Sequence, residues 1–208
     1  MISTAFLVTA FATLFVVIDP PGLVPLFIAL TRGMEAGHRR RLALRACVIA
    51  GGILTLFALV GDALLGFVGI SLPAFRIAGG LMLFMTAFDM LFERRTQRRE
   101  GQQPDPDHDP SVFPLATPLI AGPGAIATMI LLVGKIGATG AGWLGSAAVI
   151  GLMALVIIVT YVFLLGAAPV ERILGRTGTL VITRLLGMLL AALSVQFVMD
   201  GIAGSGLL

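Results

Sequence analysis

A carboxylate, three prolines and a glycine interrupt an apolar run at VVIDPPGLVPLF, residues 16–27. Asp19 is the one acidic residue that the sequence places near the middle of a membrane-length stretch. A carboxylate at such a depth costs about 2.5–3.5 kcal/mol to insert on translocon scales, and residues bearing that cost usually mark the path of an ion or a substrate. Two kinds of chemistry fit. Asp19 would hold a substrate ammonium group, or it would take up and release a coupling proton. A plainer role, capping the helix that follows it, is compatible with both.

The prolines make the same point through the backbone. Proline has no N–H and its ring clashes with the carbonyl four residues earlier, so Pro20 and Pro21 release the carbonyls of Val16 and Val17. Gly22 then lets the chain turn. A helix break is expected there, and in hydrocarbon it persists only where protein or a water-filled cavity satisfies the freed groups. The Pro-Gly element recurs as AGPGA, residues 121–125, with Pro114 and Pro118 upstream. Each restarted helix presents unpaired N–H groups and the positive end of its dipole. Because Pro25 has no donor, the free N–H groups expected at the first restart are those of Gly22, Leu23 and Val24; at the second they are those of Gly124, Ala125, Ile126 and Ala127. The candidate substrate-binding residues are therefore Asp19, Pro20, Gly22, Leu23, Val24, Gly122, Pro123, Gly124, Ala125 and Thr128.

These residues are carried by a membrane protein. The chain has 208 residues, 58% hydrophobic and 12% charged, with a mean hydropathy of +1.04, well above the roughly 45–50% apolar usage of soluble domains. The first basic residue is Arg32, so the N-terminus reads as a retained membrane segment rather than a signal peptide. A lone Cys47 excludes an intrachain disulfide, and Cys/His metal spacings are absent. No metal or cofactor is expected. The net charge of +3 does not point to nucleic acid, because the basic residues cluster between apolar stretches and read as topology signals.

At about 20 apolar residues per crossing, spans fall near residues 3–30, 46–66, 72–92, 112–134, 143–167 and 179–201. The fold class is all-α and polytopic, with six transmembrane helices of which the first and fourth are broken. Residues 93–110 form a charged cytoplasmic linker between residues 1–92 and 111–208. Arginines at 32, 39–41, 45, 94, 95, 98, 99, 172 and 176 mark cytoplasmic loops, which puts both termini in the periplasm. A competing topology, with spans one and four as re-entrant hairpins, fits these charges less well. IDPPGLVPLFIALT from Ile18 aligns with IAGPGAIATMILLV from Ile120, and FRIAGGLMLFMT from Phe75 with TRLLGMLLAALS from Thr183. Three spans per copy is odd, so the copies run in opposite senses as an inverted-topology repeat. The two helix restarts then converge on the midplane from opposite sides.

Arg76 and Arg184 occupy equivalent places in the repeat and, with Asp19, are the gate or coupling candidates, although snorkelling to the interface also accounts for the arginines. Asp62, Asp89 and Asp200 lie toward span ends. Thr86, Thr117, Thr128, Ser194 and Gln196 either line a path or bond between helices. Gly51-Gly52, Gly79-Gly80 and Gly187 are expected to allow close helix packing.

DPPGLVPLF, AFRIAGG and PLATPLIAGPGAIAT together resemble the MarC family of bacterial inner-membrane proteins, with matches in both halves. The resemblance implies six transmembrane helices and a family that includes small neutral amino acid transporters. Asp19, Pro20, Gly22 and Pro25 match the first family motif and Gly122, Pro123 and Gly124 the second; where the family usually carries Asn after the first glycine, this chain has Leu23. The expected function is an alternating-access transporter of a small neutral solute, most simply an amino acid, with a proton or sodium ion as coupling candidates. Its partners are that solute and membrane lipid, and a homo-oligomer is left open. The rival readings are a lipid or phosphate head-group carrier and a non-transporting membrane scaffold. An enzyme is not expected, since GxGD, GxSG and HExxH are missing and His38 and His108 are expected in loops, remote from Asp19.

Overall fold

A computed structural model describes residues 3–31, 33–92, 109–140 and 142–206. The linker arginines, His108 and Arg32 lie outside the described residues, as do the side chains of Arg172 and Arg176. Eight helical segments follow in order: α1 (Thr4–Ile18), α2 (Pro20–Leu30), α3 (Ala36–Val68), α4 (Leu72–Leu91), α5 (Ser111–Ile120), α6 (Pro123–Gly137), α7 (Gly142–Leu165) and α8 (Ala167–Gly204). Among the described residues there is no strand. The protein is an all-α polytopic membrane protein.

Among the described residues, five spans are long and apolar enough to cross a bilayer: Thr4–Leu30, Ala36–Val68, Leu72–Leu91, Gly142–Leu165 and Thr177–Gly204; α5 and α6 make a sixth if the pair, bent by 53°, is one span. The expected positions agree with these except at two ends. Helix α3 begins at Ala36 rather than near residue 46, because arginine ends the hydrocarbon stretch without ending the helix. Helix α8 likewise begins at Ala167, and its membrane portion starts only after Gly175, whose φ of 60° and ψ of 176° interrupt it. Helix α5 is wound irregularly because Phe113 and Thr117 each precede a proline and are pushed to extended geometry, φ −128° at both.

Among the single spans, the first is the most enclosed. Of its apolar window 67% lies inside the protein, against 17% to 33% for the other four single spans. The other helices surround it: α7 and α8 pack on α2, while α6, α7 and α8 pack on α1. The halves do not form separate bodies. The most extensive interface is α4 on α8, followed by α3 on α7, and α3 also packs on α5 and α6.

Glycine explains how closely α4 and α8 approach. A Cβ added at Gly80 would lie 2.8 Å from the Ser194 carbonyl oxygen, and one at Gly187 would lie 3.0 Å from Met90 Cβ. Gly51 and Gly52, expected to serve the same purpose on α3, do not. An added Cβ at either meets nothing within 4 Å, and Gly52 is exposed on the outer side of the helix. Gly80→Val should therefore destabilise the protein by about 1–3 kcal/mol, as overpacking does, whereas Gly52→Ala should be neutral or slightly stabilising because alanine is the better helix former. Unfolding in detergent followed by circular dichroism separates the two; equal effects would mean that the α4–α8 seam is not tightly packed.

Candidate functional site

Asp19 is the hinge between α1 and α2. It adopts φ 55°, the one positive φ outside glycine among the described residues, a conformation that costs an L-residue roughly 1–2 kcal/mol. Three hydrogen bonds hold it there. Its N–H donates to the Phe15 carbonyl at 2.9 Å, its carbonyl accepts from Leu23 N–H at 3.2 Å, and Oδ1 accepts from Gly22 N–H at 3.1 Å. One residue thus closes α1 and opens α2. Pro20 and Pro21 occupy the first helical positions of α2, where a missing N–H loses nothing, so Gly22 carries the first donor and the carboxylate takes it.

Gly22 is glycine because of that carboxylate. A Cβ there would lie 2.0 Å from Asp19 Oδ2 and 2.6 Å from Cγ. Asp19, Leu23 and Val24 are fully buried, at 0%, 0% and 1% exposure, while Gly22 is half-buried. The sequence expectation of three free donors is corrected here. Gly22 N–H is bonded to Asp19 Oδ1 and Leu23 N–H to the Asp19 carbonyl, because an aspartate directly before a Pro-Pro pair is placed to cap its own helix.

The second break is built differently. Gly122 is the N-cap of α6 and supplies no side-chain cap. A Cβ at Gly122 would lie 2.5 Å from the Pro118 carbonyl oxygen, so only glycine lets the chain pass there. Ile126 N–H donates to the Gly122 carbonyl at 3.0 Å, which removes it from the four expected donors. Pro123 has none, and Gly124 and Ala125 are the first-turn N–H groups outside the helical ladder. Both residues are buried. Thr128 donates its hydroxyl proton back to the Gly124 carbonyl at 2.8 Å, so it offers an acceptor but no donor.

The fold brings the two breaks together. A Cβ added at Gly124 would lie 3.5 Å from Val17 Cγ1, two residues before Asp19, and 3.2 Å and 3.5 Å from Leu83 Cδ2 and Thr86 Oγ1 of α4. Thr86 donates its hydroxyl proton to the Met82 carbonyl at 3.0 Å, within its own helix. Val17 and Leu83 were not singled out in the sequence, being apolar residues placed here by the fold. Arg76 belongs elsewhere: it reaches the Asp200 carbonyl at 3.5 Å, and Gln196 donates to Asp200 Oδ1 at 2.7 Å, at one end of the α4–α8 seam. Arg184 is exposed on α8. Thr117 donates to the Val112 carbonyl and Ser194 to the Ala191 carbonyl, so both stay within their own helices.

Gly22→Ala should destabilise the protein by about 1–3 kcal/mol, and Asp19→Ala by about 0.5–2 kcal/mol, the usual cost of losing a cap. The double variant should lose clearly less than the two together, since the added methyl collides with a carboxylate that is no longer there. Additive losses in detergent unfolding would show that Gly22 is glycine for another reason.

Comparison with known proteins agrees with this architecture. A family model described as MarC family integral membrane protein matches residues 4–205. A UPF0056 membrane protein of Archaeoglobus fulgidus is 37% identical over 202 residues, covering 96% of this chain and 93% of that one. The UPF0056 membrane protein YvbG of Bacillus subtilis is 36% identical over 205 residues, covering 96% and 95%. No solved structure matches the chain. The similarity runs over nearly the whole length of the chain, and the chain belongs to the MarC family of integral membrane proteins.

Proposed function

We propose that the protein carries a small neutral amino acid across the inner membrane by alternating access around the two breaks. The observation that supports this best is their juxtaposition: a carboxylate at one break, and, beside it, an uncapped helix start whose Gly124 and Ala125 N–H groups face no helical carbonyl. A zwitterion matches that pair. Its carboxylate would take the α6 donors, which suit an anion, and its ammonium would lie toward Asp19. Asp19 is the group that would also exchange a coupling proton or neighbour a sodium ion. Full burial of Asp19 corresponds to an occluded state.

The packing supports the inverted repeat as well. Residues 1–92 and 111–208 exchange equivalent contacts: α3 lies on α5 and α6 as α7 lies on α1 and α2, and α4 lies on α6 as α8 lies on α2. With six crossings both termini share one side, the periplasmic one by the arginine distribution. Because α4 and α8 join the halves so closely, the moving parts in this reading are the broken spans rather than whole halves. Lipid carriage through the same site is less well matched, since a phosphate would call for a basic residue beside Gly124 and its nearest neighbours there are Val17, Leu83 and Thr86.

Uptake of labelled glycine, alanine and serine by the full-length protein in liposomes, with and without proton or sodium gradients, tests the proposal. Wild type should accumulate at least one of them, and Asp19→Asn should lower uptake by about tenfold or more, as expected for losing a hydrogen bond to a charged group. Failure of the wild type to move or bind any of the three removes the substrate assignment.

A further inference from the structure

The cationic end of α3 continues a face of that helix which no other element covers among the described residues. At 33 residues and about 1.5 Å per residue, α3 is far longer than the roughly 30 Å hydrocarbon core, so its first turns reach head-group depth. One helical face then reads, along its length, His38, Arg41, Leu44, Arg45, Val48, Gly52 and Leu56, each exposed. Leu44, Val48 and Leu56 are 50%, 64% and 58% exposed. Gly52 leaves a dent between Val48 and Leu56, since a Cβ there would meet nothing within 4 Å.

The charge on this face is unbalanced. Arg39 is turned the other way, over the Phe27 ring of α2 at 5.8 Å. Arg45 forms an ion pair with Asp109, whose carboxyl is held below its ordinary value by the Ser111 hydroxyl and N–H, with Arg45 and His38 adding. Among the described residues, that carboxylate and Glu35, which directly precedes α3, are set against the exposed Arg40, Arg41 and Arg45, a positive excess at the start of the helix.

We propose that this face binds an anionic phospholipid, with the phosphate at Arg41 and Arg45 and an acyl chain lying along Leu44, Val48, Gly52 and Leu56. The argument rests on charge complementarity and on the continuity of the basic residues with an apolar strip. From Arg45 to Leu56 the helix rises about 16 Å, close to the depth of one leaflet, which is half of the roughly 30 Å core. The site is independent of any transported solute.

Native mass spectrometry of the full-length protein, titrated in detergent with phosphatidylglycerol or phosphatidylcholine, tests it. The expected result is preferential retention of phosphatidylglycerol. Arg41→Gln should weaken that retention about fivefold, the effect of one basic residue near an anionic surface. Gly52→Leu, which fills the dent, should weaken it too, and glycerol phosphate should compete poorly because it lacks the chain. Arg41 and Gly52 are both exposed, so the fold should persist, as size-exclusion profiles would verify. Equal retention of the two lipids would overturn the proposal, as would unchanged retention in either variant or full competition by glycerol phosphate.

Discussion

A helix cannot stop inside hydrocarbon unless its loose backbone groups find partners, and here the partner at the first break is a side chain from the break itself. The hydrogen bond from Gly22 N–H to Asp19 Oδ1 lets α1 end and α2 begin with a single residue between them. It also places a carboxylate at full burial, with fifteen helical residues before it and eleven after. Such a group is tolerable only when enclosed by protein, and the first span is more enclosed than the other four single spans. The arrangement of the remaining helices follows, because α6, α7 and α8 must cover what α1 and α2 cannot leave to lipid.

Covering one half's broken span with helices from the other half ties the halves together. Gly80 and Gly187 draw α4 and α8 into close contact on either side of the seam's middle, and the Arg76 bond to the Asp200 carbonyl fastens one end. Parting residues 1–92 from 111–208 would expose all of that surface at once. The segments that can shift at lower cost are those already interrupted: α2 with its internal Pro25, and α5 with its two extended residues, Phe113 and Thr117.

Much of this was legible because proline and glycine act locally. DPPG and AGPG announce breaks whatever surrounds them, and their places in the chain put the breaks at corresponding depths. The donor count was not legible to the same degree. Whether Gly22 N–H faces a cavity or its own aspartate depends on the Asp19 rotamer and backbone geometry, and an αL residue other than glycine is not something composition announces. The Gly51-Gly52 expectation failed for a related reason. A glycine pair on an apolar helix reads alike whether it faces a neighbour or lipid, and only the placement of α3 at the outside decides. Val17 and Leu83 entered the site silently, as ordinary core residues made significant by a glycine across from them.

The two breaks differ in charge, and electrostatics gives the difference a direction. Asp19 aligns with Ala121 in the repeat, and Ala121 brings no charge, its N–H donating to the Ala116 carbonyl at 2.8 Å. Two carboxylates side by side in a buried space would repel each other and favour neutralisation of one. Two uncapped helix starts would leave two positive ends facing each other with nothing between them. One capped and one uncapped start avoids both conditions: the first break carries a carboxyl group that caps its own helix, the second start has no side-chain cap, and the pair is polar across a short distance. Leu23 fits this division, since its fully buried apolar side chain adds packing to the α2 start and no competing polar group.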